Sequence, residues 1–138
     1  MRLALSATDP SCAKLAAVSG RRVLVVDDDP DIRALLVSVL SDDGYEAESA
    51  QNGRDALEIL DRWPADVIVL DLMMPVMDGW TFAERMKEKW TIPIVVLSAA
   101  TEVRRHAERL GAADVIAKPF DLDTLLPCIA RVARGDAA

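Results

Sequence analysis

The chain of 138 residues has only two cysteines, a single histidine and no uninterrupted apolar run longer than four residues. Cys12 and Cys128 are too few for a disulfide framework, and nothing in their segments brings them together, so a reduced, cytoplasmic setting is expected. Runs such as Val67-Ile68-Val69-Leu70 fall far short of the about 20 apolar residues that a membrane-spanning helix needs. Positive charge is also scarce, with 16 Lys and Arg against 23 Asp and Glu and a formal charge of −7. Such a chain is repelled by phosphate backbones and anionic lipid, which argues against nucleic acid or membrane as a direct partner. Near the start, Asp9 and Pro10 interrupt any apolar stretch of secretory-signal length. Residues 1–20 lack clear periodicity and read as a mobile extension, with a short helix around Ala13 to Val18, while 21–138 form the folded domain.

What is present is a globular composition, 51% hydrophobic and 28% charged, arranged in a repeating pattern. Five times a short apolar run of strand length is followed by apolar residues at helical spacing. Val23 to Val26 precedes Ile32, Leu35, Leu36, Val39 and Leu40, one face of a helix that Asp29 and Pro30 start and Gly44 stops. Tyr45 to Ala50 is a weaker, more polar strand suited to a sheet edge, and Asn52-Gly53 leads into the helix of Ala56, Leu57, Ile59 and Leu60. The purely apolar Val67 to Leu70 and Ile94 to Leu97 belong in the sheet interior, covered on both faces. Phe82, Met86 and Trp90 mark the intervening helix, Val103 to Leu110 another, Val115 to Ala117 a fifth strand, and Leu122 to Arg134 the last helix. Within that helix Pro127 predicts a kink or a late start. Strands alternating with helices imply a doubly wound α/β fold with a five-stranded parallel sheet. Only four residues follow Arg134, so no effector domain is expected.

The residues that end the apolar runs carry the chemistry: Asp27-Asp28 after the first strand, Asp71 after the third, Ser98 after the fourth and Lys118 after the fifth. Carboxyl ends of strands in open α/β sheets face the ligand crevice, so these polar groups converge there. Three carboxylates in one crevice need positive charge among them. Oxygen-only ligands favour Mg²⁺ or a similar hard ion such as Mn²⁺, and no His or Cys stands near enough to suggest zinc. A lysine and a hydroxyl facing such a cluster meet the needs of phosphoryl transfer, for which a carboxylate is a competent acceptor.

The segments Val25-Val26-Asp27-Asp28, Asp71-Leu72-Met73-Met74-Pro75-Val76-Met77-Asp78-Gly79, Ser98-Ala99 and Lys118-Pro119-Phe120 resemble the receiver domains of two-component response regulators, over Arg21 to about Arg134. The resemblance implies a flavodoxin-like strand order of 2-1-3-4-5 and a stand-alone phosphorylation-dependent switch. It implies that Asp71 accepts a phosphoryl group from a sensor histidine kinase or a histidine phosphotransfer protein. Asp28 then binds Mg²⁺ directly, Asp27 largely through water, and the Met73 backbone carbonyl is a further ligand. Lys118 pairs with Asp71 and afterwards with the phosphoryl group, Ser98 hydrogen-bonds a phosphoryl oxygen, and the bond from Lys118 to Pro119 is cis.

The chain departs from the family pattern in two respects. Val115, three residues before the lysine, stands where an aromatic switch residue is common and has no ring to swing inward. Met73 and Ala100 occupy positions that tune phosphate lifetime, and neither can hydrogen-bond an attacking water, so fast hydrolysis is not expected. Asp29 and the Asp78-Gly79 pair read as cap and turn, and Met73, Met74 and Met77 as packing. His106, among Arg104, Arg105 and Arg109, reads as solvated, although in this family that helix, the fifth strand and the last helix form the usual face for a downstream protein. Two rivals remain: a constitutive adaptor on the same fold, and a metal-dependent aspartyl-phosphate phosphatase. The latter needs an Asp two residues after the nucleophile, where this chain has Met73.

Overall fold

The computed structural model of the protein describes residues 20–72, 79–98, 108, 111–118 and 120–135. The expectations for the extension over 1–19, the loop over 73–78, Ala100, His106 and its arginines, and Pro119 lie outside the described residues, as does nearly all of the helix expected over 103–110.

Five strands, β1 (Arg22–Val26), β2 (Glu46–Ala50), β3 (Val67–Asp71), β4 (Ile94–Ser98) and β5 (Asp114–Ala117), form one sheet in the order β2-β1-β3-β4-β5. All four pairings are parallel. The polar β2 takes an edge, and β1 and β3 take the interior with four consecutive residues each fully shielded from solvent.

Four helices, α1 (Pro30–Asp42), α2 (Gly53–Arg62), α3 (Gly79–Lys87) and α4 (Leu122–Ala133), are described. Asp29 caps α1 by accepting from the amides of Asp31 and Ile32, with Pro30 in the first turn. Gly44 past its end adopts a φ of 99°, the left-handed conformation that glycine takes without a Cβ penalty. Asn52 caps α2 by accepting from the Asp55 amide, and Asp121 caps α4 by accepting from Asp123. Pro127 lies inside α4, which nevertheless starts at Leu122 rather than late. The bond Pro127 cannot make would go to the carbonyl of Asp123, in the exposed first turn, where water can serve that acceptor.

Alternation along the strands splits the core in two. Val23, Val25, Val67, Val69, Val95, Leu97 and Ile116 face Leu36 and Leu40 of α1 and Leu125, Ile129 and Val132 of α4. Leu24, Val26, Ile68, Leu70, Ile94 and Val96 face Ala56, Ile59 and Leu60 of α2 and Phe82 and Met86 of α3. Each large apolar side chain fully buried in these layers contributes about 1.5–3 kcal/mol. No helix among the described residues is long and apolar enough to cross a membrane.

Candidate functional site

Register places the polar residues before any side chain is considered. Val26 pairs with Leu70, so Asp27 and Asp71 stand level, each one step beyond. Asp71 pairs with Leu97, and Ser98 pairs with Ala117, which puts Lys118 just past them at the same end of the sheet. By alternation Asp27, Asp71 and Lys118 continue the rows of Val25, Val69 and Ile116, all on the α1 and α4 face.

The side chains meet there. Asp27 is fully buried and Asp71 is 5% exposed, the two buried charged residues among those described. Lys118 Nζ lies 3.2 Å from Asp27 Oδ2 and 3.3 Å from Asp71 Oδ2. Burial pulls the Lys118 ammonium down, but Asp27 and then Asp71 outweigh it and hold its pKa above the ordinary lysine value. Asp27 Oδ1 accepts from the Asp29 amide at 2.9 Å, which anchors the loop between β1 and α1. Exposed Asp28 completes a trio with Asp27 and Asp71, and one carboxylate oxygen from each lies within 4.8 Å of the others.

Three carboxylates against one ammonium leave a surplus of negative charge in a partly desolvated pocket, the donor set that a hard divalent cation fits. The spread is compatible with such an ion. Two oxygens on opposite sides of one Mg²⁺ lie about 4.2 Å apart, so direct contact by some members and a bridging water at others accommodates the trio.

Of the other expected site residues, Ser98 ends β4 beside Ala117 of β5, at the same carboxyl end. Val115 pairs with Val96 and packs, partly buried, against the α2 and α3 layer. It therefore sits on the sheet face opposite Lys118. Met73 and the bond to Pro119 lie outside the described residues.

One contact at the site was not evident from sequence. Arg33 Nη1 donates to the Asp27 backbone carbonyl at 2.7 Å, tying α1 to the strand end. An arginine six residues after Asp27 reads as a solvated helix position, and only the turn of the intervening loop aims it back. A second polar cluster lies away from the crevice. Asp114 Oδ2 accepts from Arg131 Nη2 at 2.6 Å and lies 3.2 Å from the buried Cys128 Sγ. Burial and then Asp114 push the thiol up to about 12, against Arg131.

Comparison with known proteins agrees with this architecture. Residues 23–130 match the family model of the response regulator receiver domain. The chain belongs to that family. It is 36% identical to transcriptional regulatory protein TcrA of Mycobacterium tuberculosis, over 85% of this chain and 47% of that protein. It is 42% identical to response regulator MprA of Mycolicibacterium vanbaalenii, over 76% of this chain and 47% of that protein. The chain thus spans less than half the length of these two relatives. Among solved structures, chemotaxis response regulator CheY4 of Vibrio cholerae superimposes with a TM-score of 0.77 at 36% identity, covering 83% of this chain and 99% of that one. Response regulator protein TrrA of Thermotoga maritima, in complex with Mg²⁺-BeF, gives a TM-score of 0.73 at 34% identity over 81% of this chain and 98% of that one. The strand order and the flavodoxin-like class expected from the sequence are those observed.

Proposed function

We propose that the chain is a phosphorylation-dependent switch in which Asp71 receives a phosphoryl group from a phosphohistidine on a sensor kinase or phosphotransfer protein. The observation that carries the reading is the ammonium of Lys118 held between Asp27 and Asp71 beside Asp28. In the transfer an Asp71 carboxylate oxygen bonds to phosphorus while the bond from phosphorus to the imidazole nitrogen breaks, and the nitrogen keeps the electron pair. Asp27, Asp28 and Asp71, with the Met73 carbonyl, are the residues that would hold Mg²⁺, which neutralises phosphoryl oxygens during the exchange. Lys118 follows the negative charge, passing from the Asp71 carboxylate to the phosphoryl group, and Ser98 takes a phosphoryl oxygen. The family match and the Mg²⁺-BeF complex of TrrA support this assignment.

The modification adds about −1.5 to −2 of charge at one point and shifts the population of conformations that the partner-binding face visits. The chain assists its own phosphorylation but turns over no external substrate, and it acts in the cytoplasm. TcrA is named as a transcriptional regulatory protein, and this chain spans less than half of it. With a net charge of −7, these 138 residues do not themselves engage nucleic acid. Val115, without a ring and packed against the core, favours a second reading in which the fold serves as a constitutive adaptor.

Intact mass after incubation with Mg²⁺ and a small acyl phosphate separates the two, with phosphotransfer from histidine kinases as the follow-up. One added phosphoryl group, dependent on Mg²⁺ and lost in Asp71→Asn, is the expected result. No transfer from either donor class would favour the adaptor.

A further inference from the structure

The three carboxylates of the crevice are not held alike. Asp27 is buried, with Oδ1 on the Asp29 amide and Oδ2 on Lys118, and Asp71 is buried beside the same ammonium. Asp28 is exposed, and among the described residues its carboxylate has neither a hydrogen bond nor an ion pair. Its place in the trio is therefore set by the main chain on either side of it.

Both peptide units that flank Asp28 are pinned. The carbonyl of the preceding unit belongs to Asp27 and accepts from Arg33 Nη1 at 2.7 Å. The amide of the following unit belongs to Asp29 and donates to Asp27 Oδ1 at 2.9 Å. A peptide unit is planar, so fixing its oxygen fixes the direction in which its nitrogen carries the next Cα. Asp27 is also where the ladder of β1 runs out. Its amide still donates to the Ala50 carbonyl at 3.1 Å, but among the described residues no backbone amide donates to its oxygen. Arg33 does there what a neighbouring strand does one step earlier. The amide of Arg33 donates in turn to the Asp29 carbonyl at 3.1 Å, so this one residue grips the loop on both sides of Asp28. Its side chain is only partly buried and lines an open groove of about 460 Å³ with Ser49, Gln51, Asp55 and Arg62. Removing it empties no packed site in either core layer.

We propose that Arg33 is a positioning residue for Asp28, holding the peptide between Asp27 and Asp28 in the orientation that presents the Asp28 carboxylate to a divalent cation. This inference rests on the reading of the trio as the Mg²⁺ site. Charge and position pull in opposite directions here. Loss of a cation beside three carboxylates strengthens their attraction for Mg²⁺, whereas release of the loop weakens it. Outer partners that orient metal ligands are commonly worth about 10- to 100-fold in affinity, so position should win.

The test is Mg²⁺ binding to the full chain, measured calorimetrically for the parent, Arg33→Met and Arg62→Met. Arg33→Met should bind about tenfold more weakly. Arg62→Met, which removes the same charge from the groove without touching the loop, should bind as the parent does or slightly more tightly. In chelator, hydrogen exchange of the Asp29 amide should quicken several-fold in Arg33→Met, while the Val25 and Val69 amides in the strands keep their parent rates. Affinity in Arg33→Met equal to or above that of the parent overturns the proposal. So does an equal loss in both variants, or a uniform acceleration of all three amides, which would mark a merely structural role. A parent chain that binds no Mg²⁺ removes the metal reading and this inference together, whereas an unaffected variant beside a binding parent removes the inference alone.

Discussion

Lys118 and Asp27 stand 91 residues apart in the chain and 3.2 Å apart in space, Nζ to Oδ2, with the carboxylate almost wholly buried. The contact joins the end of the edge strand β5 to the end of the interior strand β1, across β3 and β4. Breaking one side of a buried ion pair costs more than the pair itself contributes, because the remaining charge keeps its desolvation penalty.

Lys118→Met should therefore lower stability by about 1–3 kcal/mol in chelator, the cost of leaving partly buried carboxylates uncompensated. Added Mg²⁺ should recover much of that loss, since a cation can replace the ammonium. Urea unfolding with and without Mg²⁺ measures both. A variant as stable as the parent in chelator would show that the ammonium is not what balances Asp27 and Asp71.

Alkaline pH should weaken the fold through buried groups whose protons the folded state holds more tightly. The folded state holds the Cys128 proton more tightly, moving the thiol from 9.0 to about 12, and likewise moves Tyr45 from 10.0 to about 12. Stability from each is complete below the unfolded value and drains as pH climbs toward the folded one, by up to about 1.4 kcal/mol per pH unit. Lys118, raised as well, contributes fully up to the ordinary lysine value and loses its share above it. The first loss should begin near the unperturbed thiol value. Urea midpoints followed upward from neutral pH should show that onset, and Cys128→Ala should flatten it.

Neighbouring leucines on α1 should respond very differently to truncation. Leu36 is fully buried in the α1 and α4 layer, whereas Leu35 is 45% exposed. Leu36→Ala should cost about 2–5 kcal/mol, the range for emptying a packed leucine site. Leu35→Ala should stay within about 0.5 kcal/mol, as for an unconstrained surface position. Equal losses in denaturant titrations would contradict the orientation of α1.

The aspartyl phosphate should be long-lived. Met73 and Ala100 offer no group to orient a hydrolytic water, so decay of the added mass should take well over seconds after the donor is removed. Loss within seconds would place the water-positioning group elsewhere in the loop.

Much of this was legible because strand ends announce themselves: an apolar run followed by Asp27-Asp28, Asp71 or Lys118 needs no tertiary information to be noticed. The cap at Asp29 and the glycine stop at Gly44 were equally local. Other features depend on what packs next to what. The donation of Arg33 to the Asp27 carbonyl is set by the direction of α1 as it leaves the loop. The meeting of Asp114, Cys128 and Arg131 depends on how β5 lies under α4. Pro127 illustrates a local rule set aside: Asp121 and the burial of Leu125 start the helix five residues earlier than proline alone would advise.

The two ends of the crevice differ in how firmly the sheet holds them. Asp27 and Asp71 leave strands bonded on both sides, while Lys118 leaves β5, four residues long and paired only with β4. On the proposed reading, a change of charge at Asp71 would pull between a doubly paired strand and a singly paired one, and the singly paired margin would be the one to yield. The ammonium of Lys118 would then act as a tension member, carrying a displacement from the centre of the sheet to its rim.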